Sequence, residues 1–405
     1  MIADRTIICF ASGWDYHPTS KHHVMRKLAE RNHVLWVNWH ASRRPHLNLG
    51  DLCSIVSKVG QIGQGSRRAA ESLTVLTPPQ IPLPGSPLIR RLNAAIVRRA
   101  IRKVLKRLPP RPVQLWSFAP DIGELVGGFD EELVLYYCVD AFGEFPGYDR
   151  ALIERCEREL MDQCDLVVTT SPPLYETRRQ WHPRVHLVEH GVDHARLSRA
   201  VNEPLLMPAD LGGLARPILG FVGVIGEWVD LDLVAGLARR LPEASVVMIG
   251  PEKTSRGPCA GLPNIHWLGN KAHDELPAYL RYFDVGLIPF RNVPLTYYAN
   301  PIKLYEYLAT GVPVVSSPLP VIKPRAGMIW LADDVESAVR GCREAWKNNA
   351  PAARLERSRL VLAESWTTRL EQITEHVKAA IHDRRTVKVG TPLPASVVQL
   401  EMRSA

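Results

Sequence analysis

Short runs of Val, Ile and Leu, each followed by a stretch with helical spacing, recur along almost the whole chain. In the first half they are TIICF (6–10), HVLWVN (33–38), SLTVLTP (72–78), VQLWSF (113–118), LVLYYCV (133–139), LVVTTS (166–171) and VHLVEHG (185–191). The second half adds ILGFVG (218–223), SVVMIG (245–250), IHWLG (265–269), VGLIPF (285–290), VPVVSS (312–317) and GMIWLA (327–332). Segments apolar on both faces need cover on both sides, and helices between them supply it, so they read as buried parallel strands of an α/β protein. A chain of 405 residues exceeds one ordinary core. Periodicity lapses near 195–216, where Pro, Asp and Gly gather before a fresh first strand. The expected division is therefore 1–200 and 201–365, with a helix at 366–385 packing back toward the first domain and a tail at 386–405. Two Rossmann-like doubly wound domains would face each other across a cleft at the carboxyl ends of their strands.

Composition narrows the class. Hydrophobic residues at 46% against 23% charged ones describe a globular chain, not a disordered one. No apolar run approaches the ~18 residues of a membrane span. The apolar run at 6–10 is short and follows Asp4 and Arg5, so no export signal is expected. The 7 cysteines are scattered without a CxxC, which points to reduced thiols in a cytoplasmic protein, with no zinc site or disulfide frame. The net charge of +8 concentrates in LIRRLNAAIVRRAIRKVLKRLPPRP (88–112), where Leu88, Leu92, Ile96, Ile101 and Leu105 recur at helical spacing. Arg91, Arg98, Arg99, Arg102 and Lys106 make this a basic amphipathic helix, either a solvated surface element or one lying against anionic lipid headgroups. No motif for nucleic acid accompanies the charge, so no nucleic-acid partner is expected.

The most informative local stretch is YYANPIKLYEYLATGVPVV, residues 297–315. Asn300 suits an N-cap, Pro301 a first helical position, and Gly311 with Pro313 a stop. A helix start favours an anion, Lys303 adds full positive charge there, and Glu306 lies on the same face with oxygens that accept from paired hydroxyls. A diphosphate beside a ribose needs that pair; an isolated Lys–Glu pair on a solvated helix is the plain alternative. The stretch resembles the donor motif of GT-B glycosyltransferases, especially those like family four. The resemblance implies that Glu306 binds ribose hydroxyls. The family's second glutamate, eight positions upstream, is replaced here by Tyr298, which leaves the retaining stereochemistry and sugar contacts open.

The donor candidates beside Lys303 and Glu306 are Gly223 in the turn after ILGFVG, Gly250 after SVVMIG, Arg291 in IPFRNVPLT, which is either a diphosphate partner or a solvated loop charge, and Tyr298 and Asn300 at the head of the motif. Asp140 follows the carboxyl end of a strand, where it could serve as general base or merely cap a turn. An aspartate after the corresponding strand is the base in the xanthan-pathway glucuronosyltransferase, an inverting GT-B enzyme, whose HGVDH also recurs at 190–194. Gly13, Asp15, His17 and His22 are candidates for the acceptor, in the first strand-to-helix loop, with Ser20 as the expected cap. The DLD at 230–232 opens a helix and reads as caps, so metal-independent transfer with no cofactor is expected. The resemblance implies transfer from a nucleotide-diphosphate sugar, UDP-linked, to a glycan or lipid-linked saccharide in cell-surface polysaccharide synthesis. A sugar-nucleotide epimerase of the same architecture and an inactive sugar-nucleotide-binding subunit are the alternatives.

Overall fold

The computed structural model describes residues 1–16, 18–39, 65–81, 85–325 and 327–389. Eight strands form the first sheet: β1 (Thr6–Ala11), β2 (His33–Asn38), β3 (Ser66–Ala70), β4 (Leu73–Leu76), β5 (Val113–Ser117), β6 (Leu133–Cys138), β7 (Leu166–Thr169) and β8 (Val185–Leu187). Their spatial order is β3-β4-β2-β1-β5-β6-β7-β8, parallel throughout except for β3 against β4. The second sheet holds β9 (Ile218–Val222), β10 (Ser245–Ile249), β11 (Ile265–Gly269), β12 (Val285–Ile288), β13 (Val314–Ser316) and β14 (Trp330–Leu331). Its order is β11-β10-β9-β12-β13-β14, all parallel. Strand order reverses between β1 and β5 in one sheet and between β9 and β12 in the other. In open α/β sheets those reversals open crevices at the carboxyl ends of the strands.

Both faces of the first sheet carry an apolar core. One is filled from Phe10, Leu35, Val97, Ile101 and Tyr136, the other from Ile7, Trp36, Trp116 and Tyr137. The latter face is closed by Trp366, Leu370, Ile373, Val377 and Ala380 of the helix Trp366–Val389. The chain thus crosses between domains twice, near 190 and near 364. The crossings touch: Val192 and Ser365 form a β-bridge, and Val192 N–H donates to the Glu364 carbonyl at 2.9 Å. Around them Arg325 meets Glu189 and Glu364 at 3.0 Å each, and Arg369 meets Glu364 at 3.1 Å.

The basic helix runs Pro87–Leu105, capped by Ser86, but its inward face differs from the sequence expectation. Ala94, Val97, Ile101 and Val104 face the core, and Asn93 is held there by both backbone groups of Ile81 at 2.9 Å. Leu88 and Leu92 consequently point outward, 76% and 49% exposed. Arg98 and Arg102 are occupied by the carbonyls of Glu124 and Gly128, while Arg91, Arg99 and Lys106 are exposed and make no ion pair among the described residues. Among the described residues no helix is long and apolar enough to cross a membrane.

Candidate functional site

The crevice between β9 and β12 is built by two glycines, two aromatic rings and one lysine. Gly223 follows β9 at φ +147°, and a Cβ there would stand 2.9 Å from Lys303 Nζ. Gly250 follows β10 at φ +136°, where a side chain would run into the Gly223 carbonyl. Both positions favour a residue without Cβ, and the backbone gains the close approach that a phosphate needs. Lys303 Nζ lies 4.9 Å from the Phe221 ring and 4.7 Å from the Phe290 ring. These aromatic faces hold an ammonium at modest gain and donate no hydrogen bond acceptor to it.

Lys303 belongs to the helix Ile302–Ala309, whose inner face is Leu304, Tyr305, Tyr307 and Leu308. Tyr307 ties the helix to β9, its hydroxyl accepting from Val222 N–H at 2.8 Å. Glu306, three residues after Lys303, is partly buried beside it. Among the described residues neither side chain makes a hydrogen bond or an ion pair. Burial brings the Lys303 ammonium down to about 8, with Glu306 pulling the other way. Burial also raises the Glu306 carboxyl, opposed by Lys303 and by Arg196, which itself pairs with Asp274. A cation and a carboxylate so placed can serve a ligand that carries both anionic oxygens and hydroxyls.

Across the cleft, Asp140 stands just past β6, and its carboxyl is pushed by burial up to about 6, against the pull of Lys21. Lys21 sits in the first turn of the helix Ser20–Ala29, its ammonium lowered by burial and supported first by Asp140. Neither forms an ion pair among the described residues, so the carboxylate is free to accept a proton from a third group. The sequence offers Lys21 as a polar group of the first strand-to-helix loop, but its electrostatic coupling to Asp140 has no local signal.

The other sequence candidates divide. Gly13 makes a tight turn, its carbonyl accepting from Tyr16 N–H at 3.2 Å. Asp15 turns outward to pair with Arg67 of β3. His22 is buried and structural: its Nδ1 accepts from Thr19 N–H at 3.1 Å, Nε2 donates to the Trp14 carbonyl at 3.1 Å, and Trp36 packs on the ring. Thr19, not Ser20, is the N-cap of that helix. His17 lies outside the described residues. Arg291 is drawn away from the crevice to Asp232, at 2.9 Å on the surface. Asn300 does not cap its helix; Pro301 occupies the cap position, because the Asn300 amide donates to the Thr170 carbonyl of the first domain at 2.8 Å. Tyr298 packs against the first domain's core, its ring centroid 5.9 Å from the Arg178 guanidinium. Asp230 caps the helix Leu231–Arg240. Among the described residues no three His, Cys, Asp or Glu side chains gather as a metal centre requires.

With the geometry in place, known proteins supply the frame. A sucrose-phosphate synthase from Thermosynechococcus elongatus superposes at TM-score 0.65 and 15% identity, over 93% of this chain and 100% of that one. HepE of Anabaena, in complex with UDP and glucose, superposes at TM-score 0.65 and 11% identity, over 92% and 99%. A trehalose 6-phosphate synthase from Burkholderia multivorans gives 0.63 and 14%, over 95% and 100%. The chain has the GT-B glycosyltransferase fold. Residues 216–348, which contain the crevice, match the family of glycosyl transferases group 1. A Bacillus subtilis protein named provisionally as the teichuronic acid biosynthesis glycosyltransferase TuaH is 26% identical over 251 residues, 57% of this chain. The match spans 63% of that relative's length. In this GT-B chain the second sheet is the half that the group 1 family model covers.

Proposed function

We propose that this protein transfers a sugar from a nucleotide-diphosphate donor to a glycan or lipid-linked saccharide in cell-surface polysaccharide assembly. The observation that carries the reading is the unpartnered pair Lys303 and Glu306 in the β9–β12 crevice. In this reading Gly223 and Gly250 let backbone approach the diphosphate, Lys303 neutralises the charge that grows on it as the anomeric C–O bond breaks, and Glu306 accepts from the ribose hydroxyls. Asp140 takes the proton from the acceptor hydroxyl as the new C–O bond forms, which inverts the anomeric centre. Lys303 serves in place of a resident metal, so chelator leaves turnover unchanged. HepE, solved with UDP, supports a uridine donor as the first to try.

The outward Leu88 and Leu92, beside the exposed Arg91, Arg99 and Lys106, support a peripheral footing on an anionic membrane that supplies a lipid-linked acceptor. The test incubates the protein with a panel of sugar nucleotides and membrane lipid extract and measures nucleotide diphosphate released. Release that depends on extract, and falls at least tenfold in Glu306→Gln, supports transfer. Epimerised nucleotide sugar formed without acceptor assigns the site to an epimerase instead.

A further inference from the structure

Residues 298–300, which lead into the Lys303 helix, are fastened to the opposite domain by their backbone and side chains. Ser171 Oγ donates to the Tyr298 carbonyl at 2.6 Å, and Asn300 Nδ2 donates to the Thr170 carbonyl at 2.8 Å. Thr170 Oγ1 in turn donates to the Val139 carbonyl at 3.1 Å, one residue before Asp140. Thr170 and Ser171 are fully buried and Asn300 is 5% exposed, so water does not compete for these bonds. Beneath them the Tyr298 ring lies by Arg178, whose guanidinium is fixed by two bonds to the buried Glu157 at 2.9 and 3.1 Å. Glu157 also accepts from the Tyr136 hydroxyl at 2.9 Å, which anchors the assembly in β6.

We infer that Asn300, Thr170 and Ser171 are positioning residues that set the gap between Asp140 and the Lys303 crevice, on the reading of those two groups given above. The chain of bonds ends one residue from Asp140 on one side and three residues from Lys303 on the other. Each half-site is complete without it: Lys303 and Glu306 are held by the second sheet, Asp140 by the first. Loosening the chain therefore displaces the base relative to the leaving phosphate without altering either pocket. A displacement of about 1 Å at a reacting centre costs on the order of a hundredfold in rate. The position where the family resemblance expects a sugar-contacting carboxylate, Tyr298, serves here to hold the two halves in register.

The experiment measures kcat and the Kd of UDP side by side in the full chain. Asn300→Asp, which loses the amide donor, and Thr170→Val, which loses only the hydroxyl, are expected to lower kcat roughly 10- to 100-fold with Kd for UDP within about threefold of wild type. Ser171→Thr, which keeps the hydroxyl, retains kcat within about threefold; Ser171→Ala does not. The Asn300→Asp, Thr170→Val double variant should lose little more than the worse single one, since both break one chain. Thr170→Val is nearly isosteric, so it tests the idea even if Asn300→Asp fails to fold. UDP affinity falling in step with kcat would make Asn300 a direct donor contact, and unchanged kcat would reduce the bonds to domain glue; either overturns the inference. A wild-type protein that neither binds UDP nor releases it from any nucleotide sugar overturns the functional reading itself, a distinct outcome.

Discussion

Replacing Lys303 with Met should disable the protein and stabilise it at once. The ammonium's drop from 10.5 to about 8 is the net of burial, which disfavours the charged form, and Glu306, which favours it. At 1.36 kcal/mol per pH unit this is up to about 3 kcal/mol, carried in full below pH 8. The sign follows from proton binding: the unfolded chain holds this proton more tightly, so wild-type stability rises between pH 8 and about 10.5. Methionine has similar length, keeps contact with Phe221 and Phe290, and needs no hydration. After the lost cation–π gain of about 1 kcal/mol, the variant should be roughly 1–2 kcal/mol more stable at pH 7 by urea unfolding. UDP binding should fall by about 1.5–3 kcal/mol, the worth of a charge-assisted hydrogen bond, or roughly 10- to 150-fold by calorimetry. In wild type, affinity for UDP should hold steady from pH 7 to 8 and then decline by up to tenfold per unit, while the Met variant stays flat. A variant that binds UDP as wild type does, or loses affinity and stability together, refutes the argument that Lys303 is held uncomfortably for a ligand's sake.

Four further outcomes follow from the structure. Asp140→Asn should leave UDP affinity within about twofold and cut turnover by roughly 10²–10⁴, read as nucleotide diphosphate released. Because burial raises Asp140 to about 6, wild-type turnover should fall tenfold per unit below that pH, and Lys21→Met should move this limb upward by removing a charge that lowers it. Gly250→Ala forces a side chain at φ +136° into the Gly223 carbonyl, and should cost about 2–4 kcal/mol in denaturant unfolding along with UDP binding. Leu88→Glu with Arg99→Glu should halve, or better, co-sedimentation with vesicles of anionic lipid while leaving UDP affinity unchanged; sedimentation insensitive to salt and lipid charge would count against a membrane footing.

The strands were legible wherever burial on both faces left a continuous apolar run, as in LVLYYC of β6. β3 was not, because SRRAA has no such run and alternates exposed with partly buried residues at a sheet edge. Lys303 and Glu306 could be read because their relation is local, three residues on one helix. Asn300 misled for the opposite reason: its amide is recruited by a carbonyl from the other domain, and no neighbouring residue announces that. Arg291 was likewise taken by Asp232, and Leu88 and Leu92 fell on the wet face because Asn93 anchors the helix at Ile81. Phe221 and Phe290 join Lys303 through the fold alone, so only tertiary structure could nominate them.

The helix at 366–389 gives the order of synthesis a physical meaning. Translation delivers Trp116, Leu135 and Val168 well before Trp366, Leu370 and Ile373, which share their core. The intervening domain, whose core is drawn from residues 192–361, can finish first. Until that helix emerges the sheet keeps an oily, unsealed face, and any shuffling of the two halves between genes succeeds only if that distant lid travels with its sheet.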